Sequence, residues 1–529
     1  MNLIKDKWLP VTRKNSKPGE FENIAVWQLL EHYSDNPVTE IIAPRPDFRN
    51  ALYQLLIGIV QVAALPEDDE IWAELYYTPW ESEEFKQKVL TLEHCFEIDS
   101  DGPAFMQDFD LKEDYKEETL GNLFINLPAN DHFIPTNERA DKSEPLQINP
   151  YWAAVALYTL QTFAPSGGRG HRVGLRGGGP LTTILLPKKD LSTLWEKLWL
   201  NIIDQESIHL LSGDSRKTDL PDIFPWMKPT KISETKGSEL FAEECHPFHM
   251  YFGMPRRVRL KFESREGVCD LTGLQCENLV TGYITRHSGN NYSGVWTHPL
   301  NAYGFDPKKT DEPPYSRKPS GGGTTYRHWL GLNVKAEGAL PAVIVEKSRA
   351  NEFRLELLKK DGAILWAAGY NMNNMKAECW YDSTLPVYPL DPAIADDLSL
   401  FVQGLVKTAQ EISNNIKSKV KQAWFKSPKD VKGDFSFIDT AFWQNTEPRF
   451  YTMVQEIIEN FDVSGVKKEL VNGWMDILTS QAYGLFDKWA LEQQEDGLDM
   501  KRVIKARNDL GKAVGKMRNN LKKHTSSLE

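Results

Sequence analysis

Several residue patterns that mark particular protein classes are missing from this chain of 529 residues. It holds five cysteines, too few for a disulfide scaffold in a chain of this length. No run approaches the roughly 18 consecutive apolar residues of a membrane helix, and the opening MNLIKDKWLPV contains no apolar signal core. These absences predict a cytoplasmic protein with no membrane partner.

The motifs of common catalytic sites are missing as well. There is no His-Glu-x-x-His, no His-Asp pair, no Gly-x-Ser-x-Gly and no kinase motif set, and no spacing singles out a pair of carboxylates. Cys269 and Cys276 enclose a knuckle-like turn, but Thr272 stands where a Cys-x-x-Cys pair would place its second ligand. His298 fits a packed histidine better than a general base. We therefore expect no catalytic residue, no metal and no cofactor.

The charge of the chain is acidic and unevenly spread. The net charge is −12, so the protein as a whole repels nucleic acid, and a polyanion partner has to meet a local basic surface. Residues 61–120 hold 18 Asp and Glu against 4 Lys, whereas residues 501–523 hold nine Lys and Arg against one Asp. Each run fits a solvated face, and the basic run also fits a surface for a single nucleic-acid strand.

The hydrophobic pattern predicts an α+β fold in two parts. Residues 1–390 read as a large mixed α/β domain, with a helix over 150–163, a strand over 181–187, a helix over 191–203 and a strand-like run over 339–347. Residues 391–529 read as a C-terminal four-helix bundle, because apolar residues recur there at spacings of three and four. In the first predicted helix of the bundle these are Leu398, Val402, Leu405, Ala409, Ile412, Ile416, Val420 and Ala423.

A glycine-rich stretch, PSGGRGHRVGLRGGGP at residues 165–180, is the most unusual segment of the chain. It has no lysine for a P-loop, and it follows a predicted helix rather than the strand that a dinucleotide-binding motif requires. Glycine permits close backbone approach to a ligand, and Arg169, Arg172 and Arg176 add charge for phosphates. The stretch therefore fits either a loop that enters a duplex groove or a structural turn with several positive φ angles.

Taken together, a series of short motifs in a fixed order resembles the CasA family, the large subunits of type I-E CRISPR Cascade complexes. The opening MNLIKDKWLPV, the glycine-rich stretch and a final helical bundle belong to this series. The shorter motifs are PAFMQ (103–107), LFINLP (123–128), GLRGGGPLTT (174–183), CDLTG (269–273), VWTHP (295–299) and GYNMNNMK (369–376).

The resemblance implies that the N-terminal domain recognises the protospacer-adjacent motif (PAM) of target duplex DNA from the minor groove. A glycine loop, a basic finger and a wedge turn do this in the family, and the wedge starts strand separation and R-loop formation. The corresponding glycine loop is Ser166 to Gly170, with Gly167, Gly168, Arg169 and Gly170. The finger is Arg286 or His287, and charge favours Arg286. The wedge is Asn373 and Asn374, which alone would read as a tight turn.

The resemblance also implies the partners of a ribonucleoprotein subunit: CRISPR RNA, the backbone, small and RNA-capping subunits, target double-stranded DNA and a helicase-nuclease effector for antiviral defence. Phe124 and Asn126 are the implied positions for docking onto the guide RNA and the neighbouring subunit. The displaced non-target strand would meet basic residues of the last helix, namely Lys501, Arg502, Lys505, Arg507, Lys512, Lys516 and Arg518. The alternatives are a cryptic nuclease or nucleotide hydrolase acting on nucleic acid, and a purely structural scaffold.

Overall fold

The computed structural model describes residues 1–111, 117–125, 146–168, 170–309, 311–319, 321–373, 375–428, 433–492 and 499–526. The chain packs as two compact units. The first comprises Met1–Ser320 and Ala342–Thr384, and the second comprises Gly321–Pro341 and Leu385–Glu529. The predicted α+β class, with helices gathered at the C-terminal end, is confirmed. The domain boundary at 390 stays a prediction.

The first unit contains α-helices of very different length. The predicted helix 150–163 is confirmed at both ends: Asn149 caps it by accepting a hydrogen bond from the Tyr151 N–H at 2.9 Å, and Pro150 occupies its first turn. The predicted helix 191–203 is shorter than expected and ends at Trp199. The α-helices of this unit are α1 (Pro46–Ala63), α2 (Asp69–Tyr77), α3 (Ser82–Leu90), α4 (Pro150–Phe163), α5 (Leu194–Trp199), α6 (Leu220–Ile223), α7 (Val343–Ala350) and α8 (Glu352–Asp361).

The expected strand over 339–347 is wrong beyond its first two residues. Only Ala339–Leu340 are extended, and helix α7 begins at Val343. The run VIVEK is short and apolar, and a run of that kind does not separate a buried strand from one face of a helix by periodicity alone. In the helix, Ile344 and Val345 point inward and are fully buried, while Glu346 is exposed.

The strands form several small sheets rather than one large one. The three-stranded sheets include those with the orders β2-β1-β3, β4-β9-β6 and β14-β13-β5. The strands are β1 (Leu9–Arg13), β2 (Glu22–Ile24), β3 (Val38–Ile41), β4 (Glu117–Thr119), β5 (Thr182–Pro187), β6 (Arg257–Glu263), β7 (Gly267–Val268), β8 (Gln275–Cys276), β9 (Leu279–Arg286), β10 (Tyr303–Gly304), β11 (Tyr315–Ser316), β12 (Ala339–Leu340), β13 (Ala363–Asn373) and β14 (Lys376–Val387).

The strand β13 joins the predicted strand 181–187 to a long hairpin. It pairs antiparallel with β5, from Ala363 opposite Pro187 to Ala368 opposite Thr182, and then continues as one arm of the hairpin with β14. The ring of Phe163, the last residue of α4, lies 5.4 Å from the ring of Trp380 and 6.2 Å from that of Tyr370. The end of α4, where the glycine-rich stretch begins, is therefore packed against the hairpin.

The second unit is a bundle of four long helices, as the sequence predicts. The eight apolar residues that define the expected stripe of its first helix, from Leu398 to Ala423, are all fully buried. Gly321–Pro341 belong to this unit, and Tyr326 stacks on Phe450 with the ring centroids 4.3 Å apart. No helix among the described residues is long and apolar enough to cross a membrane. The helices are α9 (Ala395–Trp424), α10 (Ser436–Glu459), α11 (Val466–Ala490) and α12 (Met500–Ser526).

Candidate nucleic-acid interface

The glycine loop, Ser166 to Gly170, is a tight turn with an open face. The Gly167 N–H donates to the His171 carbonyl at 3.3 Å, and the His171 N–H donates to the Gly168 carbonyl at 2.9 Å. Gly168 has φ +68°, and a Cβ placed on it would meet no atom within 4 Å. The turn needs glycine at Gly168 for its backbone angle, while the space in front of this residue is empty. Arg169 lies outside the described residues.

The loop is joined to the predicted finger by its backbone. Strand β9 ends at Arg286, and Ser288, with φ +66°, donates its N–H to the Gly170 carbonyl at 2.9 Å. A Cβ on Gly170 would lie 3.4 Å from the Cβ of His287. The structure therefore brings the loop and both finger candidates together. His287 is exposed, whereas the Arg286 guanidinium, half-buried, lies 3.7 Å from the Glu234 carboxylate.

Two of the three arginines in the glycine-rich stretch are engaged within the fold, and the expected contact with phosphates is not supported for Arg176, which is buried. Arg176 is 5% exposed and donates to the Thr182 hydroxyl at 3.0 Å and to Gln54 Oε1 at 2.6 Å. Burial lowers the pKa of Arg176 to about 10. Arg172 donates to the hydroxyl and the carbonyl of Ser233, at 2.9 and 2.6 Å. Both side chains hold neighbouring segments in place.

The second half of the stretch packs against the hairpin. Gly179 has φ +60°, and a Cβ on it would lie 2.6 Å from the Tyr370 carbonyl oxygen and 2.7 Å from Met372 Cγ. Gly178 approaches Pro165 so closely that a Cβ would lie 2.7 Å from the Pro165 Cα. Pro165, which precedes the glycine loop, and the residues that lead to the hairpin tip thus pack against two neighbouring glycines.

The hairpin tip is polar and exposed. Asn371 and Asn373 donate their side-chain N–H groups to the two carboxylate oxygens of Glu378, at 2.7 and 2.8 Å. Asn373 is exposed, Met375 is 56% exposed, and Asn374 lies outside the described residues. At the base of the hairpin, the Tyr370 hydroxyl donates to buried Asp47 at 2.6 Å. The tip projects from a firmly anchored stem.

The predicted docking residue Phe124 lies in the interior. Phe124 is 6% exposed, and its ring stacks on that of Phe48 with the centroids 5.8 Å apart. The Arg45 guanidinium lies 5.5 Å from the centroid of the Phe124 ring. A direct contact between this ring and a guide RNA is therefore not supported, and the ring instead fixes the segment that precedes Asn126. Asn126 itself lies outside the described residues.

The basic residues predicted on α12 fall into two groups. The first is engaged within the bundle. Arg507 forms a bidentate pair with Asp487 at 2.7 and 2.8 Å, Arg518 pairs with Asp476 at 2.7 Å, and Arg502 donates to the Ala423 and Trp424 carbonyls at the end of α9. These three arginines stabilise helix packing and a helix C-terminus. Their expected role as contacts for a displaced strand stays a prediction, and each would have to give up these partners to take it.

The second group remains open to solvent. Lys512 is 82% exposed and its Nζ lies 3.9 Å from Asp509, a weak surface pair. We refer to Lys501, Lys505 and Lys516 as the α12 lysines; all three are exposed and form no ion pair with a described residue. Their positive charge is therefore accessible from solvent, as the predicted contact with a nucleic-acid strand requires.

A groove of about 820 Å³ lies between the end of α9 and the start of α12. Half of its basic residues, those of α9 and the segment after it, were not predicted from the sequence. Lys417 is engaged by Asp439, and the Lys421 ammonium lies 4.2 Å from the centroid of the Phe435 ring. Lys417 and Lys421 are four residues apart in α9, and this spacing was the signal in the sequence that could have indicated a basic helix face. The basic residues that line the groove are Lys417, Lys421, Lys426, Lys501, Arg502 and Lys505.

No group of three or more potential ligands for a metal ion occurs in the described part of the chain. The Cys269 and Cys276 sulfurs each accept a hydrogen bond from Asn149, at 3.4 Å. His298 is 1% exposed; burial holds its pKa well below the ordinary value, and its Nδ1 accepts the Leu300 N–H at 3.0 Å. The expectation of a packed histidine is confirmed.

Comparison with known proteins gives one family and one fold. The family model described as CRISPR-associated protein Cse1 matches residues 2–485. CasA of Thermus thermophilus is 17% identical, with a TM-score of 0.66 over 98% of this chain and 99% of that one. Cse1 of Thermobifida fusca is 15% identical, with a TM-score of 0.67 over 99% and 98%. A chain of a structure described as a CRISPR RNA-guided surveillance complex is 15% identical, with a TM-score of 0.65 over 98% and 99%.

Proposed function

The chain belongs to the CRISPR-associated protein Cse1 family, and from that premise we propose that it is the non-catalytic large subunit of a type I-E Cascade complex. In this role it recognises the PAM from the minor groove, separates the strands to start R-loop formation, and recruits the helicase-nuclease that degrades the target. Its partners are CRISPR RNA, the other Cascade subunits and target duplex DNA.

One observation carries the proposal for PAM recognition. The glycine loop and the finger are connected by the hydrogen bond from the Ser288 N–H to the Gly170 carbonyl, and both present exposed groups. The same glycine-rich stretch packs on the hairpin through Gly179. The glycine loop, the finger and the hairpin are far apart in sequence but are joined through the glycine-rich stretch. Contact of all three with one DNA groove requires such a connection.

The chemistry of the minor groove suits these residues. Its base edges distinguish A·T from G·C but hardly A·T from T·A, so a reader with a bare backbone loop accepts several related tags. An amide wedge at Asn373 and Asn374 that unstacks a base step costs a few kcal/mol, which new contacts offset. Base pairing with the guide RNA then reads the remaining sequence.

The bundle has a separate role in the proposal. The α12 lysines and the groove beside them provide clustered positive charge on a protein whose net charge is −12. A displaced non-target strand meets such a surface through its phosphates, and exposed Phe425 in the groove offers a ring for base stacking. For docking onto the guide RNA and the neighbouring subunit, we propose the segment that begins at Asn126.

The wedge is tested by replacing Asn373 and Asn374 with alanine in the assembled complex. We expect binding of closed, tagged duplex to weaken tenfold or more, because the energy of unstacking is no longer offset, while binding of a target with a pre-opened bubble changes less than about twofold. Both are measured as apparent Kd by gel shift. The same preparations should leave DNA uncut when Mg²⁺ is added without the helicase-nuclease.

The matched control is Asn371→Ala, which removes an amide that binds the same carboxylate, Glu378, from the stem rather than the tip of the hairpin. We expect it to bind both substrates like the unaltered complex. Equal losses on closed and pre-opened targets in the tip variant would contradict a wedge, and DNA cleavage by the complex alone would contradict a non-catalytic subunit.

A further inference from the structure

Arg256 lies directly beneath the glycine loop, at the residue before β6. Its N–H donates to Gln161 Oε1 at 2.8 Å, and Gln161 Nε2 donates back to the Arg256 carbonyl at 3.0 Å. Gln161 is in the last turn of α4, from which the loop leaves. The backbone of Arg256 is therefore fixed to the base of the loop by a reciprocal pair of hydrogen bonds.

The guanidinium of Arg256 supports the loop itself. Its Nη2 donates to the Pro165 carbonyl. Its Nη1 lies so close to Gly167 that a Cβ on this glycine would come within 2.8 Å. The cation is consequently in van der Waals contact with exposed loop backbone, and the absence of a side chain at Gly167 is what permits that contact.

The positive charge of Arg256 has no counter-ion in the described part of the chain. No carboxylate pairs with it, and its Nε is buried without an acceptor. The adjacent Arg257 provides a contrast, because its guanidinium is buried at 2.5 Å from the Asp108 carboxylate. Burial lowers the pKa of Arg256 to about 10, so it is still charged at neutral pH. Arg256 is half-buried, so its charge has lost part of its solvation without gaining a counter-ion among the described residues, and an incoming anion would offset that cost.

We propose that Arg256 positions the glycine loop and supplies the positive charge that a backbone phosphate of the duplex neutralises when the loop enters the groove. This inference rests on the proposed function and adds a residue to it. A phosphate fits better than a base edge, because the guanidinium is behind the loop backbone, and charge acts across the intervening atoms without the direct contact that base readout needs.

The test compares Arg256→Gln with Arg256→Lys in the assembled complex, using tagged duplex at a series of salt concentrations. In Arg256→Gln we expect the Kd to rise about tenfold, because the loop loses a positive charge beneath it and its support at the Pro165 carbonyl. We also expect the slope of log K against log salt to become shallower by about 0.9, because one phosphate is no longer neutralised. Arg256→Lys keeps the charge and should keep the slope, although its affinity falls with the lost support of Pro165.

Two further variants make the result decisive. Arg216→Gln removes one cation that is 88% exposed and paired with Asp214, and it should change neither affinity nor slope. Gly167→Ala keeps Arg256, but its Cβ would lie 2.8 Å from both Arg256 Nη1 and His171 Cβ, so it moves the guanidinium and the loop apart and should weaken binding and reduce the slope as Arg256→Gln does. Gly167→Ala therefore decides the question if Arg256→Gln does not fold.

An unchanged salt slope in folded Arg256→Gln, or in Gly167→Ala, would overturn the phosphate role and leave Arg256 a structural residue. Such a result would leave the proposed function intact, because the unaltered complex would still prefer tagged duplex and the wedge variant would still lose it. If the unaltered complex shows no preference for tagged over untagged duplex, it is the proposed function that fails.

Discussion

Alanine at Gly168 and alanine at Gly179 distinguish two roles of the glycine-rich stretch, the proposed approach to DNA and the packing against the hairpin. Both have positive φ, +68° and +60°. A methyl group on Gly168 would meet no atom within 4 Å, whereas one on Gly179 would lie 2.6 Å from the Tyr370 carbonyl oxygen. Alanine at either position therefore incurs the same backbone cost, but only alanine at Gly179 collides with the hairpin.

The expected energies follow from these contacts. Placing a residue with a Cβ in the left-handed region costs about 1–2 kcal/mol, which applies to both variants. Overpacking a filled site adds about 1–3 kcal/mol, and relief at Gly179 is expensive because the Tyr370 carbonyl belongs to strand β13 and cannot rotate away. We expect Gly168→Ala to destabilise by about 1–2 kcal/mol and Gly179→Ala by about 2–5 kcal/mol.

The assay pairs a local stability measurement with a binding measurement. Hydrogen exchange of the β13 and β14 amides should be much faster in Gly179→Ala and nearly unchanged in Gly168→Ala. Binding of tagged duplex should weaken about tenfold in Gly168→Ala, since its methyl group occupies the face that we propose approaches DNA. Undiminished binding by folded Gly168→Ala would refute close approach of this loop to the duplex, and equal exchange in the two variants would refute the packing at Gly179.

Two other predictions concern charge and pH. Replacing the three α12 lysines with glutamine should lower the affinity for single-stranded DNA and reduce the salt slope by about 2, because each lost charge contributes about 0.7. Arg507→Gln should instead lower the melting temperature of the bundle and leave the salt slope unchanged. Equal salt slopes in the two variants would contradict the separation of strand-binding from structural cations. Burial lowers the pKa of His249 to about 3, so below pH 6.5 the unfolded state takes up a proton that the folded state refuses, and stability falls as the pH decreases. His249→Gln keeps an amide that can either donate to or accept from the Tyr292 hydroxyl. It should make the decline in stability between pH 6.5 and 5, measured by urea denaturation, shallower by up to about 1.4 kcal/mol per pH unit. An unchanged slope would show that this histidine is not the cause.

Sequence periodicity predicted the elements whose pattern is long or carries an explicit end signal. The stripe of α9 spans seven turns, so its apolar residues could be assigned to the core individually, and all of them are fully buried. Helix α4 was predicted to its last residue because Pro150 marks its start and the glycine-rich stretch marks its end. The error at 339–347 came from a segment too short for its period to be recognised.

The roles of individual cations could not be predicted, because their partners are distant in sequence. Arg176 finds Gln54, 122 residues away, and Arg518 finds Asp476 on the preceding helix, 42 residues away. No local pattern distinguishes these arginines from Lys516, which forms no such pair with a described residue. Arg256 was missed for the same reason: its significance is the absence of a carboxylate among the described residues around it, whereas its neighbour Arg257 has one in Asp108.

The pairing of some cations with carboxylates and not of others suits the DNA contact that we propose for a chain with a net charge of −12. Each arginine paired with a carboxylate contributes nothing to a phosphate unless that pair first breaks, and the tight pair of Arg507 with Asp487 makes such exchange unfavourable. Under the proposed function, attraction then comes from places where a cation pairs with no carboxylate among the described residues, such as Arg256 beneath the glycine loop and the α12 lysines. Because the net charge of the protein is negative, we expect a duplex to gain more binding energy at such positions than elsewhere, so the acidic background would suppress other modes of binding.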